Sequence, residues 1–475
     1  MGEMKKLTVF LFLASSVFGA EAVLAQWSRV RVVDGYDMAY GMAIGKGRND
    51  DTVRVYMGGD TPSRPALYEA TYRSNTWEAA PAYYDYVGYL LVENARNDSV
   101  QRVYSIGLGS PKEFEYAGGS WNRDTLPYPS GGSLRMACGF GRNDGLKRLY
   151  ASGYEDGHMY EYSYEVDRWL MRDMGACGGG AFLKGVVLGQ GRNDGVVRVY
   201  TAHLNGHVYE YSDSSGVWQV VDMGTIVPGV LLNGGIAIGD GRNDGVQRIY
   251  VSVDTLGPSD KGIIAEYSYE GGNWVIRRVG DNWLWFWPVA VGKGRNDTVS
   301  RVYAASVDNH VYEFSYSSGQ WIKADVGVGE TQIYWMRDVT VGVGRGDGVN
   351  RVYAVNDADL YEFSWNGSGV ETGKEIKELV AMDRLRVHPN PFCNKTTLEY
   401  YLRIGGGVNV RIYDCLGREV KRVIEAVQAA GWQRIEWDGR DGEGRLLPAG
   451  VYFCQLVSKG EKKESSQTVK LVLTR

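Results

Sequence analysis

The chain has 475 residues, 23% of them charged, with 52 Lys and Arg against 57 Asp and Glu and a net charge of −5. This acidic balance leaves no basic stripe to displace phosphate counterions, which sets nucleic acid aside as a partner. Gly (64) and Tyr (33) are both abundant, Gly at about twice its usual share, which points to turns and half-buried strands.

Lys5 and Lys6 precede an apolar run from Leu7 to Phe18, and Ala20, Ala22 and Ala25 follow as small residues, the form of a secretory signal peptide over residues 1–25. The run is short for a membrane span and no other stretch approaches ~18 apolar residues, so the expected mature chain has no transmembrane segment and is secreted or attached to the cell surface by way of the periplasm. Cys138, Cys177, Cys393, Cys415 and Cys454 are odd in number and show no Cys-x-x-Cys spacing, which speaks against a disulfide framework or a zinc site, with one bridge within either domain left open.

Arg48-Asn49-Asp50 opens a phrase that returns at Arg96, Arg142, Arg192, Arg242, Arg295 and, as Arg345-Gly346-Asp347, a seventh time. The spacing of 46 to 53 residues suits a four-stranded β unit. Each copy continues through an Arg-aliphatic-Tyr strand, a turn and an aromatic strand with a Glu, and six close on Trp77, Trp121, Trp169, Trp218, Trp274 and Trp321. The seventh lacks this Trp, whereas Trp27 opens a segment like that at Trp274, so residues 27–35 are expected to supply the missing outer strand. The expected fold over 26–368 is therefore an all-β, seven-bladed β-propeller closed by the N-terminal strand.

Asn-Asp-Gly between β-patterned runs reads as a hairpin turn; a calcium loop would need more oxygen ligands than the single carboxylate of each turn. Arg345-Gly346-Asp347 looks like an adhesion tripeptide but occupies the same turn. The strand Arg of each copy matches a Glu: Arg54 with Glu69, Arg102 with Glu115, Arg148 with Glu161, Arg198 with Glu210, Arg248 with Glu266, Arg301 with Glu313 and Arg351 with Glu362. Two explanations stand side by side. One is a repeated cross-strand ion pair, since a lone buried charge is costly.

The other is a ligand site. The order Arg-aliphatic-Tyr, aromatic-flanked Glu, Gly-x-Trp resembles the repeat of fungal and bacterial fucose-binding lectins, in which Arg and Glu hydrogen-bond sugar hydroxyls and aromatic rings stack on the sugar face. The resemblance implies glycan-binding roles for Arg148, Glu161 and Trp169, for Arg198, Glu210 and Trp218, and for Arg301, Glu313 and Trp321. No catalytic residue, metal ligand or cofactor site is assigned: His158, His207 and His310 share one turn position, and the acids mostly repeat rather than stand out as a catalytic pair.

Residues 369–384 read as a linker, and 385–475 as a small β-sandwich of immunoglobulin-like size. Within it, Pro389-Asn390-Pro391-Phe392, Trp437-Asp438-Gly439 and Gly450-Val451-Tyr452 closely resemble the type A sorting domain of the type IX secretion system, which overlaps the immunoglobulin-like domain of the flagellar hook-capping protein. That resemblance implies the outer-membrane secretion machinery as a partner, with Lys459, Lys462 and Lys463 as plausible contacts. The expected function is that of an exported binding protein for a glycan or surface polymer. A propeller scaffold for protein interactions is the alternative, and a polysaccharide hydrolase a third.

Overall fold

The computed structural model describes residues 26–474 apart from 34–37, 61–63, 108, 129–131, 179–182, 227–230, 256–260, 283, 330–334, 367–381, 403–405, 429–430 and 460–463. The expected signal peptide and most of the expected linker lie outside the described residues. Contacts divide the chain into two compact units, Met1–Gly369 and Val370–Arg475.

The described residues of the first unit form seven four-stranded antiparallel sheets. Sheets one to six are consecutive in sequence, over 38–83, 89–125, 133–176, 183–222, 231–282 and 286–328. The seventh takes three strands from 336–366 and its fourth from Gln26–Val33. That strand pairs antiparallel with Leu360–Asn366, Trp27 opposite Trp365, in the register that sets Trp274 opposite Tyr269 and Trp321 opposite Tyr316. The N-terminal strand thus takes the place its Trp predicted.

The fold class itself is corrected. Among the described residues backbone pairing ends at the edges of every sheet, and no sheet is closed into a barrel or a propeller; the N-terminal strand completes one open sheet. The physical reason is that repeat length and Trp position specify the contents of a sheet, whereas closure is a property of hydrogen bonding that neither encodes. Between sheets the contact is side-chain packing. The first strands of successive sheets lie against one another, and that of the seventh touches that of the first.

Glycine permits this approach. A Cβ on Gly189 would lie 2.5 Å from Ile238 Cδ1 in the next sheet, and one on Gly191 would lie 3.2 Å from Ile249 Cδ1 there. The second strands form the buried layer: Arg198–His203, Arg301–Ser306 and Arg351–Asn356 are buried along their whole length, as strands covered on both faces must be.

The second unit pairs a three-stranded sheet (Met382–His388, Thr396–Leu402, Gly431–Trp437) with a four-stranded one ordered Glu419–Gln428, Gly406–Tyr413, Gly450–Lys459, Glu464–Leu473. Phe392, Leu398, Val410, Trp437, Tyr452 and Leu471 fill one core between them. The sequence motifs fix its edges. Asn390 donates to Lys470 O at 2.7 Å and accepts from Val472 N at 2.8 Å, and Trp437 Nε1 donates to Arg440 O at 3.0 Å.

Candidate functional site

In each sheet of the first unit the Tyr of the second strand stands opposite a Glu of the third: Tyr150 with Glu161, Tyr200 with Glu210, Tyr303 with Glu313 and Tyr353 with Glu362. These Glu side chains have almost no access to water; Glu210 and Glu313 are 0% exposed. A carboxylate so placed needs a counter-charge and hydrogen bonds.

The turn Arg supplies both. Arg192 Nε donates to Glu210 at 2.9 Å and its Nη2 at 2.5 Å, and Arg295 meets Glu313 at 3.0 and 2.6 Å. The strand Arg is held from the other side. Arg198 grips Asp194 with two bonds of 2.8 Å and Arg301 grips Asp297 identically, while their Nε atoms stand 3.7 and 3.6 Å from Glu210 and Glu313. In the third sheet Arg142 donates to Glu161 at 2.7 Å, Arg148 grips Asp144 at 2.8 and 2.7 Å, and Arg148 Nε is 3.9 Å from Glu161.

The Asn of the same motif reaches the next sheet. Asn143 Nδ2 donates to Val197 O at 2.9 Å and its Oδ1 accepts from Val197 N at 2.8 Å; Asn193 does the same with Gln247 at 3.0 and 2.7 Å. Both residues have positive φ, 57° and 56°, a conformation Asn tolerates better than most side chains. In the seventh copy this residue is Gly346, facing Val53 of the first sheet. Arg345 is spent on Glu362 at 2.9 Å and on the Tyr72 hydroxyl at 2.8 Å, and Asp347 on Arg351, so the tripeptide's charges are internally engaged.

Each closing Trp packs edge-on against the second-strand Tyr of the preceding sheet: Trp169 on Tyr104, Trp218 on Tyr150, Trp321 on Tyr250, Trp77 on Tyr353 and Trp27 on Tyr303, at 5.9 to 6.3 Å between centres. Each turn Arg, in return, reaches the following sheet, as Arg192 over Tyr269 and Arg345 over Tyr72. Arg142 makes an ion pair with Asp213 there, 3.1 Å away.

The structure therefore sets Arg198 beside Glu210 but parts both from Trp218, which belongs to the junction with the sheet before. The same holds for Arg301 and Glu313 against Trp321, and for Arg148 and Glu161 against Trp169, whose Nε1 donates to Glu113 at 3.1 Å. Glu113, not Glu115, occupies the common position, opposite Tyr104. Glu115 replaces the Ser found two residues on in other copies and takes Arg102 Nε at 2.6 Å, as Ser268 takes Arg248 Nε at 3.0 Å.

Sequence reading overlooked the Gly-x-Gly before most turn Arg residues, which repeats as regularly as the turn itself, and the Asn bridge, which no one-dimensional pattern displays. His158, His207 and His310 each meet an Asp of the fourth strand at 2.9 Å, Asp173, Asp222 and Asp325, and stack on the Tyr two residues ahead. Among the described residues no cluster of three or more His, Cys, Asp or Glu is placed to hold a metal ion.

Residues 394–461 match the FlgD Ig-like domain. Among curated proteins none matches the chain. Solved structures that resemble it distantly include two at the same low level of similarity. "YCF48 bound to D1 peptide" is 12% identical with a TM-score of 0.45, covering 71% of this chain and 96% of that one. "Crystal structure of BBS1N in complex with ARL6DN, soaked with lead" is 11% identical with a TM-score of 0.46, covering 70% and 94%. By its sheets and the family match, the chain is an all-β protein of repeated four-stranded sheets with a C-terminal Ig-like domain.

Two predictions follow from the charge clusters. Glu210→Gln leaves Arg192 and Arg198 without their shared buried carboxylate and is expected to cost about 3 kcal/mol in urea unfolding; a loss under about 0.5 kcal/mol would show the pairing to be incidental. Hydrogen bonds from Arg54, Arg148 and Arg198 hold Asp50, Asp144 and Asp194 at about 2, below the ordinary 3.8. A carboxyl depressed in the folded state contributes stability that is complete above its unfolded value and lost as pH falls toward its folded value. Melting temperature should therefore drop between pH 4 and 2, and Asp194→Asn should flatten that drop while lowering the neutral-pH value; an unchanged acid limb would refute the assignment.

Proposed function

We propose that the protein is an exported binding protein of a bacterial surface, in which the repeated sheets form the recognition unit and the Ig-like domain addresses the chain to the type IX secretion machinery. The observation that carries this reading is the FlgD Ig-like match over 394–461, in a chain that opens with a signal-like segment and devotes its other unit to repeated sheets. The ligand class is a glycan or surface polymer. Similar sheets side by side present several related surfaces, and avidity then exceeds single-site affinity.

The geometry favours a framework role for Arg148, Glu161, Arg198, Glu210, Arg301 and Glu313. Their charges are buried, or half-buried at Arg148, and engaged with Asp and Arg of the same sheet, which supports packing over sugar binding as their use. Trp169, Trp218 and Trp321 are likewise used in packing between sheets.

Removing residues 386–475 and locating the product tests the address. Retention in the periplasm is expected, and surface display at the full-length level would sink it. The mature protein on a polysaccharide array tests the ligand class, where retention of at least one polymer is expected and none at millimolar sugar would overturn it.

A further inference from the structure

The seven sheets are alike at one end and unlike at the other. The shared end is the turn between first and second strands, where every charge of Arg-Asn-Asp is spent on the fold. At the opposite end, where the first strands begin, six of the seven sheets slip register: between Ala39 and Gly41, Ser133 and Met136, Leu183 and Gly185, Leu232 and Ile236, Phe286 and Val289, and Met336 and Asp338. A bulge gives up ladder pairing to re-aim a side chain, and bulges gather beside functional sites. The residues within these slips include Tyr40, Arg135, Trp287 and Arg337, which follow no repeat.

Two of them are cations whose hydrogen-bonding capacity is only partly used. Arg337 donates its Nε to Asp357, whose other oxygen takes Trp335 N at 3.1 Å. Its guanidinium lies 4.5 Å from the centre of Trp287 and 5.2 Å from that of Trp335, and its two terminal nitrogens donate to no described residue. Arg135 lies over Tyr89 at 3.3 Å, and its nearest carboxylate, Asp338 at 4.0 Å, is beyond hydrogen-bond reach. Asp338 instead accepts from Met42 N at 3.1 Å and Val339 N at 3.0 Å. Trp335 is 44% exposed although it is large and apolar.

We propose that this end binds an acidic polysaccharide, the Arg337 and Arg135 forks taking carboxylates of uronate-type units while the exposed Trp335 ring covers a sugar face. The proposal rests on the surface-polymer reading above and places its site. A guanidinium fork such as that of Arg337, whose terminal nitrogens donate to no described residue, is shaped for a carboxylate, and an indole face buries the apolar C–H side of a pyranose. An acidic peptide would answer only the first of these features and a neutral glycan only the second.

Titration calorimetry of the mature protein with oligogalacturonate, its methyl ester and polyglutamate tests this. Oligogalacturonate should bind at least tenfold more tightly than either comparison ligand. Arg337→Gln and Trp335→Ala should each weaken it tenfold or more, and Val166→Ser, on an exposed hairpin remote in sequence, should not. If Arg337→Gln lowers the melting temperature, Trp335→Ala, which trims an exposed ring, decides. Equal binding of the ester, or unchanged binding by both variants, overturns this site and leaves the surface-polymer reading standing. Preference for polyglutamate overturns the ligand class, and failure of every polysaccharide overturns both readings.

Discussion

A carboxylate shut away from water between two guanidinium groups is the constraint around which the first unit is organised. Once Glu210 is buried opposite Tyr200, an Arg must reach it from the turn, a second must lie alongside in the strand, and an Asp must hold that second Arg in place. Desolvating this many charges is costly, and it is offset chiefly by the paired short hydrogen bonds of the turn Arg to the Glu and of the strand Arg to the Asp. The cluster also joins neighbours: the turn Arg stacks on an aromatic of the following sheet, and the Tyr receives the Trp of that same sheet. One arrangement therefore shapes the sheet and the junction together, which is why the motif recurs with so little variation.

The contrast between the two ends has a physical basis. Identity among copies follows where each sheet must solve the same packing problem. At the opposite end the ladders slip, and aromatic and charged residues vary from sheet to sheet. A repeat that is strict in its frame and free at one margin can change what it recognises while leaving its stability intact.

Much of this was legible in one dimension. The period came from spacing, the strand identities and the displaced Trp27 from the residues each copy repeats, and the C-terminal motifs Pro389-Asn390-Pro391-Phe392 and Trp437-Asp438-Gly439 pointed to the domain whose family match covers 394–461. Closure did not follow, because spacing describes the contents of a sheet and not where its hydrogen bonding ends. Partner choice was also hidden. Arg198 and Glu210 are each other's sequence companions, yet each has a closer mate in Asp194 or Arg192, since a turn folds residues six apart onto one carboxylate. The first-strand bulges were not assigned from the sequence, and nothing there singled out Arg337 or Trp335.

The placement of Gln26–Val33 has a bearing on how the chain comes to be folded. Ser28 and Ser364 are joined though 336 residues separate them, whereas each of the first six sheets finds every strand within its own stretch of sequence. In a chain emerging from its N-terminus, the earliest strand is the last to meet its mate, and until then both it and Leu360–Asn366 expose a bare edge.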